Sequence, residues 1–140
     1  MKIRVKYHDD GIKLSQAHAG EWIDLMAAED VVMKAWDFRL ISLGVSIELP
    51  DGYEALVVPR SSTYKRYHIL QANSVGVIDN AYCGDSDIWR FPAIAVTDTE
   101  IHKYDRIAQF RIQPVQGKID LDEVQYLCNT NRGGFGSTGR

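Results

Sequence analysis

Val45-Ser46-Ile47-Glu48-Leu49-Pro50-Asp51-Gly52-Tyr53-Glu54-Ala55-Leu56-Val57-Val58-Pro59 is the stretch on which the fold class turns. Val45, Ile47 and Leu49 alternate with Ser46 and Glu48, the period of a strand with one face turned inward. Pro50-Asp51-Gly52 then supplies turn residues before a second apolar run, so the stretch predicts a β-hairpin. Outward from it, short runs at 74–78, 88–96 and 107–112 are rich in Val, Ile and Phe and are separated by Gly, Asp, Asn or Thr. That spacing suits an all-β domain, a barrel or jelly roll. Residues 27–38 read as a helix or as a strand plus a turn; with Val31-Val32 adjacent in so short a segment, we read a strand.

The 140 residues fit one domain, and 45% hydrophobic content is enough to bury a core without disulfides or a structural metal. A net charge of -3 lacks the basic footprint of a protein that binds long nucleic acid, so any phosphate it holds must meet local cations. Met1-Lys2-Ile3-Arg4-Val5-Lys6 alternates charged with apolar residues and has no unbroken apolar stretch, which predicts a soluble cytoplasmic protein with no membrane partner. Cys83 and Cys128 stand far apart, outside any Cys-x-x-Cys spacing, and are read as reduced thiols. His8, His18, His68 and His102 form no metal-binding pair, and no Ser or Cys nucleophile has a base beside it. Water is the plausible nucleophile.

Several segments carry candidate chemistry. The end of the chain, Asn131 to Arg140, holds four glycines, and we divide the chain into a β domain over 1–130 and a Gly-rich arm over 131–140. Its backbone amides with Arg132, Ser137, Thr138 and Arg140 could clamp phosphate, and Phe135 could stack on a base; the same composition also suits a frayed terminus. Arg60, Ser61 and Ser62 follow a strand, where they either bind phosphate oxygens or close a turn. Asp79 follows apolar Val77-Ile78, then comes a turn and Tyr82: a carboxylate able to orient and deprotonate water, or an ordinary Asx turn. Arg106 and Gln109 on an alternating strand, and Asp24 after Trp22-Ile23, have surface roles as their simplest reading.

Taken in order, these segments resemble the five motifs of the trimeric dUTPases over Gly20 to Arg140. Ala19-Gly20-Glu21-Trp22-Ile23-Asp24-Leu25 is similar to the first, with extra residues between glycine and aspartate, and Pro59-Arg60-Ser61-Ser62 to the second. Asn73 to Gly84 resembles the third, Asp105-Arg106-Ile107-Ala108-Gln109 the fourth, and Gly133-Gly134-Phe135-Gly136-Ser137-Thr138-Gly139 the fifth. A Trp after the third motif, here Trp89, resembles the branch of Gram-positive bacteria and their phages.

The resemblance implies a jelly-roll-like distorted β-barrel, a homotrimer with active sites shared between subunits, and hydrolysis of dUTP to dUMP and pyrophosphate. Such an activity limits uracil in DNA and supplies dUMP for dTMP synthesis. It implies Asp79 as general base for water attacking the α-phosphorus, and Tyr82 packed on deoxyribose so that no 2′-hydroxyl fits. Uracil would lie on a hairpin formed by Asn73, Gly76, Val77 and Ile78, read by Asn73 and backbone groups. Arg60, Ser61, Ser62 and Gln109 would bind the phosphates, and Asp24 would hold waters of a Mg²⁺ carried mainly by the triphosphate. The arm would close over the nucleotide, Phe135 and Gly136 at the base and Arg132, Ser137 and Thr138 on the outer phosphates.

The nearest rival of the same fold is dCTP deaminase, which resembles the second and third motifs but places a glutamate ten residues after the motif-three aspartate. Here that position is Trp89, and no glutamate lies between Glu54 and Glu100. A nucleotide-sensing regulatory protein that kept the site is the non-enzymatic alternative.

Overall fold

A computed structural model describes residues 1–16, 22–136 and 139. The chain is mostly β-strand: β1 (Arg4–Tyr7), β2 (Ile23–Met26), β3 (Val31–Met33), β4 (Phe38–Ser42), β5 (Val45–Glu48) and β6 (Tyr53–Pro59) precede a single helical turn, α1 (Thr63–Tyr67). After it come β7 (Ile69–Gln71), β8 (Gly76–Ile78), β9 (Arg90–Ala95), β10 (Thr99–Ile101) and β11 (Arg106–Pro114). They form antiparallel sheets in the orders β1-β5, β3-β10, β2-β11-β6-β8 and β4-β9-β7. The strand read at 27–38 is there as β3, with a turn leading to β4.

Both strands of the opening stretch form, but they do not pair as the predicted hairpin. β5 pairs with β1, whereas β6 pairs with β11 and β8. The reason lies in the turn. Tyr53 N–H donates to Pro50 O at 3.1 Å, and of the two central residues only Gly52 has positive φ, at 77°, the type II arrangement. Such a turn splays its flanking strands, where a primed turn would match their twist, so the chain passes from one sheet to another.

Alternation along the strands builds the core. On β9, Phe91, Ala93 and Ala95 face inward between outward Arg90, Pro92 and Ile94. Trp89, just before it, is fully buried and meets Phe110 of β11 edge to face, ring centres 5.1 Å apart. Ile12, Leu25, Met33, Ile41 and Ile69 belong to the same buried cluster. After Pro114 no strand forms among the described residues, and every one of them is exposed. Among the described residues, no helix is long and apolar enough to cross a membrane.

Candidate active site

Four of the five candidate segments meet in one sheet. In β2-β11-β6-β8, Gln109 on β11 stands opposite Asp24 on one side and Val58 on the other. β8 adds to the far edge of β6, with Val57 opposite Gly76 and Ala55 opposite Ile78. Asp24, Gln109 and Arg60 therefore lie toward the end of β6 marked by Pro59, and Asp79 lies toward the end marked by Tyr53.

At the first end, Asp24 sits between two guanidinium groups: Arg60 Nε is 2.8 Å from Oδ1 and Arg106 Nη1 is 3.2 Å from Oδ2. The Asp24 side chain is only 15% exposed, against 24% for Arg60 and 52% for Arg106, so the carboxylate is covered and one positive charge in excess faces outward. Arg106 and Gln109 are an odd number of residues apart and would face opposite sides of a regular strand. A register shift between Arg106 and Ala108 breaks the alternation and brings both to this corner. Gln109 Nε2 donates to Pro59 O at 3.2 Å.

The chain after Pro59 is held by buried Thr63, whose Oγ1 accepts from Arg60 N–H and donates to Ile107 O, both at 2.8 Å. Ser61 is exposed in the resulting turn, and half-buried Ser62 begins α1 without using its hydroxyl as a cap. Burial pushes the nearby Tyr67 phenol above its ordinary pKa of 10.0, with Asp105 adding to the shift, so it stays a neutral hydroxyl.

At the other end, a cavity of about 370 Å³ is lined by Asn73, Val77, Ile78, Asp79 and Tyr82, all anticipated from sequence as site residues, together with Leu40, Ile88, Trp89, Arg90 and Pro92. Asp79 Oδ1 accepts from the amides of Ala81 at 2.8 Å and Tyr82 at 3.2 Å, an Asx turn that fixes the carboxylate. The two sequence readings of Asp79 are thus compatible, since Oδ2 makes no bond among the described residues. Tyr82 donates its hydroxyl to Ile88 O at 3.3 Å. The acidic segment after Gly84 closes on itself, Asp87 Oδ2 accepting from Gly84 N–H at 2.7 Å, and Lys6 anchors Asp85 at 3.1 Å.

One expectation is corrected here. Residues 73–78 are not a paired hairpin: β7 belongs with β9 and β8 with β6, so residues 72–75 turn between two sheets, with Ser74 at φ 61°. Gly76 is buried against Val57 and Gln71 and does not line the cavity. Arg132, Phe135 and Gly136 are exposed and line no part of the cavity either. Ser137 and Thr138, like Ala19-Gly20-Glu21 of the first motif, lie outside the described residues. Gln71 was passed over because an isolated polar residue in a strand resembles an ordinary surface position; only the fold reveals its partners, Val57 O and Asn73 Oδ1.

The structure has a dUTPase-like fold. It matches the dUTPase of Staphylococcus bacteriophage 80alpha, in a structure with dUpNHpp, at a TM-score of 0.81 and 21% identity, covering 99% of each chain. It also matches the dUTPase of Streptococcus mutans at a TM-score of 0.75 and 23% identity, covering 86% of this chain and 99% of that one. Sequence then narrows the fold to a family. The dUTPase family pattern matches residues 13–139. The SPbeta prophage-derived deoxyuridine 5′-triphosphate nucleotidohydrolase of Bacillus subtilis is 55% identical over 140 residues, 99% of both chains. The enzyme of that activity from Hydrogenobaculum sp. is 38% identical, again over 99% of both. The chain belongs to the dUTPase family.

Proposed function

We propose that this dUTPase hydrolyses dUTP to dUMP and pyrophosphate by in-line attack of water on the α-phosphorus, with Asp79 as general base. The observation that carries this reading is the Asp79 carboxylate at the rim of the cavity: one oxygen is fixed by two backbone amides, and the other is left to accept a water proton. Tyr82, beside it, presents a ring face to the sugar, and Asn73, Val77 and Ile78 form the wall for the base. The excess charge of the Arg60–Asp24–Arg106 corner, with Ser61, Ser62 and Gln109, suits a polyphosphate and the charge that develops on departing pyrophosphate.

Asp24 fits a second-sphere role toward Mg²⁺. Its two guanidinium contacts use one lone pair on each oxygen, which leaves acceptor sites for metal-bound water. Mg²⁺ bound with the triphosphate would neutralise phosphate charge. Arg132, Phe135, Gly136, Ser137 and Thr138 form the arm of residues 131–140, which closes over base and phosphates when the triphosphate is present.

The working unit we propose is a homotrimer. Ala55 faces Ile78, so Asp79 stands level with Glu54, and the chain from 54 to 60 spans roughly 20 Å at about 3.3 Å per residue. One triphosphate does not bridge that distance, so the base-side and phosphate-side groups of one site come from different copies. Exposed apolar residues on the outer face of β4-β9-β7, Phe38, Leu40 and Leu70, and along the trailing segment, Leu121, Tyr126 and Leu127, supply surface for such contacts. Three copies in head-to-tail contact close a ring.

The test is pyrophosphate release with Mg²⁺ from dUTP, UTP, dTTP and dCTP. A strong preference for dUTP is expected; equal hydrolysis of all four refutes the specificity, and ammonia release from dCTP would favour deamination. Trp89, buried edge-on to Phe110 where the deaminase resemblance calls for a glutamate, offers no acid for that reaction.

A further inference from the structure

Gln71 ends β7 and is only 8% exposed, although it is a polar residue with no role in the chemistry above. Its Nε2 makes two bonds of 3.0 Å, one to the carbonyl of Val57 on β6 and one to Oδ1 of Asn73. Its Oε1 is buried with no hydrogen-bond partner. A side chain serving only to pack would do better as Met or Leu, without an uncompensated acceptor. The amide therefore points to a task for Nε2.

The two bonds fix a chain of polarity. A backbone carbonyl can only accept, so the end of Gln71 that faces Val57 O is its NH2 group. The remaining hydrogen of that group points to Asn73, so the end of Asn73 that faces Gln71 is its oxygen. The Asn73 NH2 is then the end left for the cavity that Asn73 lines with Asp79 and Tyr82.

We propose that Gln71 is a positioning residue that sets the preference for uracil over cytosine, by holding the Asn73 NH2 toward the C4 position of the base. Uracil carries a carbonyl oxygen there and accepts the bond. Cytosine carries an amino group, which sets donor against donor. The proposal rests on the dUTP reading above and adds the part of the specificity that the Asn73 side chain alone, free to turn over, does not supply.

Gln71→Met keeps the volume and removes both bonds. The expected result is a KM for dUTP raised about tenfold with kcat nearly unchanged, and a dUTP-to-dCTP ratio of kcat/KM lowered about tenfold. In an Asn73→Ala background the same change should add nothing, because Gln71 acts through Asn73. Asn73→Asp, with Gln71 intact, keeps the oxygen that Gln71 holds and turns an acceptor to the cavity, so the preference should move toward dCTP. This variant also keeps the idea testable if Gln71→Met does not fold. A lowered unfolding midpoint with unchanged KM and nucleotide ratio makes Gln71 merely structural and overturns the proposal. So does a full additional loss in the Asn73→Ala background, or an Asn73→Asp variant with unaltered preference. Failure of the unmodified protein to hydrolyse dUTP is a separate result and defeats the underlying reading before any variant is made.

Discussion

Mixing two inactive variants tests the shared site directly. Asp79→Asn removes the proposed base and Arg60→Ala a phosphate-side cation, and the strand register puts these residues roughly 20 Å apart along β6 in one chain. If each site takes Asp79 from one copy and Arg60 from another, a site in a randomly mixed trimer is intact when the first copy carries no Asp79→Asn change and the second no Arg60→Ala change. With equal amounts of the two chains each condition holds half the time, so about one quarter of the sites should recover. If both residues served the same site from the same chain, every site would carry one lesion and none would recover. The assay is pyrophosphate release after the two variants are unfolded together and refolded, with each refolded alone as the control. Activity near one quarter of the unmodified protein's is expected. Refolded, assembled mixtures that stay at the level of the separate variants would refute the shared-site reasoning.

Other consequences are as specific. Removing residues 132–140 should cut dUTP turnover by at least about a hundredfold while the oligomer, followed by light scattering, stays assembled, since no described residue of that segment is buried. Trp89→Ala should lower unfolding free energy by about 3–5 kcal/mol in a denaturant titration, because the ring is fully buried against Phe110. For pH, Lys103, with Tyr104 and the Gly11 amide, holds the Asp9 carboxyl below its ordinary value of 3.8, while Asp98 is held down by Lys34 and the Ala35 amide. Their stabilising effect is present above 3.8 and is lost as pH falls through the lower folded values. Lys103 and Lys34, raised above 10.5 by the same partners, lose theirs only as pH climbs beyond that value. Denaturation midpoints measured against pH should thus fall at both extremes, and Asp9→Asn should flatten part of the acid limb.

How much of this the sequence disclosed depends on whether a feature is local. Alternation at Val45, Ile47 and Leu49 marks a strand wherever its partner lies, so the strands were legible while their pairing was not. Pro50-Asp51-Gly52 signals a turn, but whether the turn is type II or primed decides between a hairpin and a passage to another sheet, and those residues permit either. A turn at Arg60 to Ser62 was one of two readings, but the helix α1 after it was not foreseen, because Thr63 is held by Arg60 N–H and Ile107 O, a tertiary arrangement with no sequence period. The site shows the same division. Asp79 and Tyr82 were legible because an Asx turn is encoded within four residues. Gln71 was not, since its partners are a backbone carbonyl on β6 and a side chain beyond a turn.

The Arg60–Asp24–Arg106 corner carries this one step further. Had Asp24 been a free surface carboxylate, its charge would oppose a triphosphate. Between two guanidinium groups it instead reduces their mutual repulsion and fixes their direction, leaving one net positive charge on an ordered platform. Asp24→Asn should therefore weaken binding of dUTP even though it removes a negative charge, because Arg60 and Arg106 lose the group that orients them. A rise in KM of about tenfold, in steady-state kinetics at saturating Mg²⁺, is the expected size for one charge-assisted hydrogen bond's worth of positioning. If charge alone governed the corner, the same substitution would tighten binding, and a lowered KM would establish that instead.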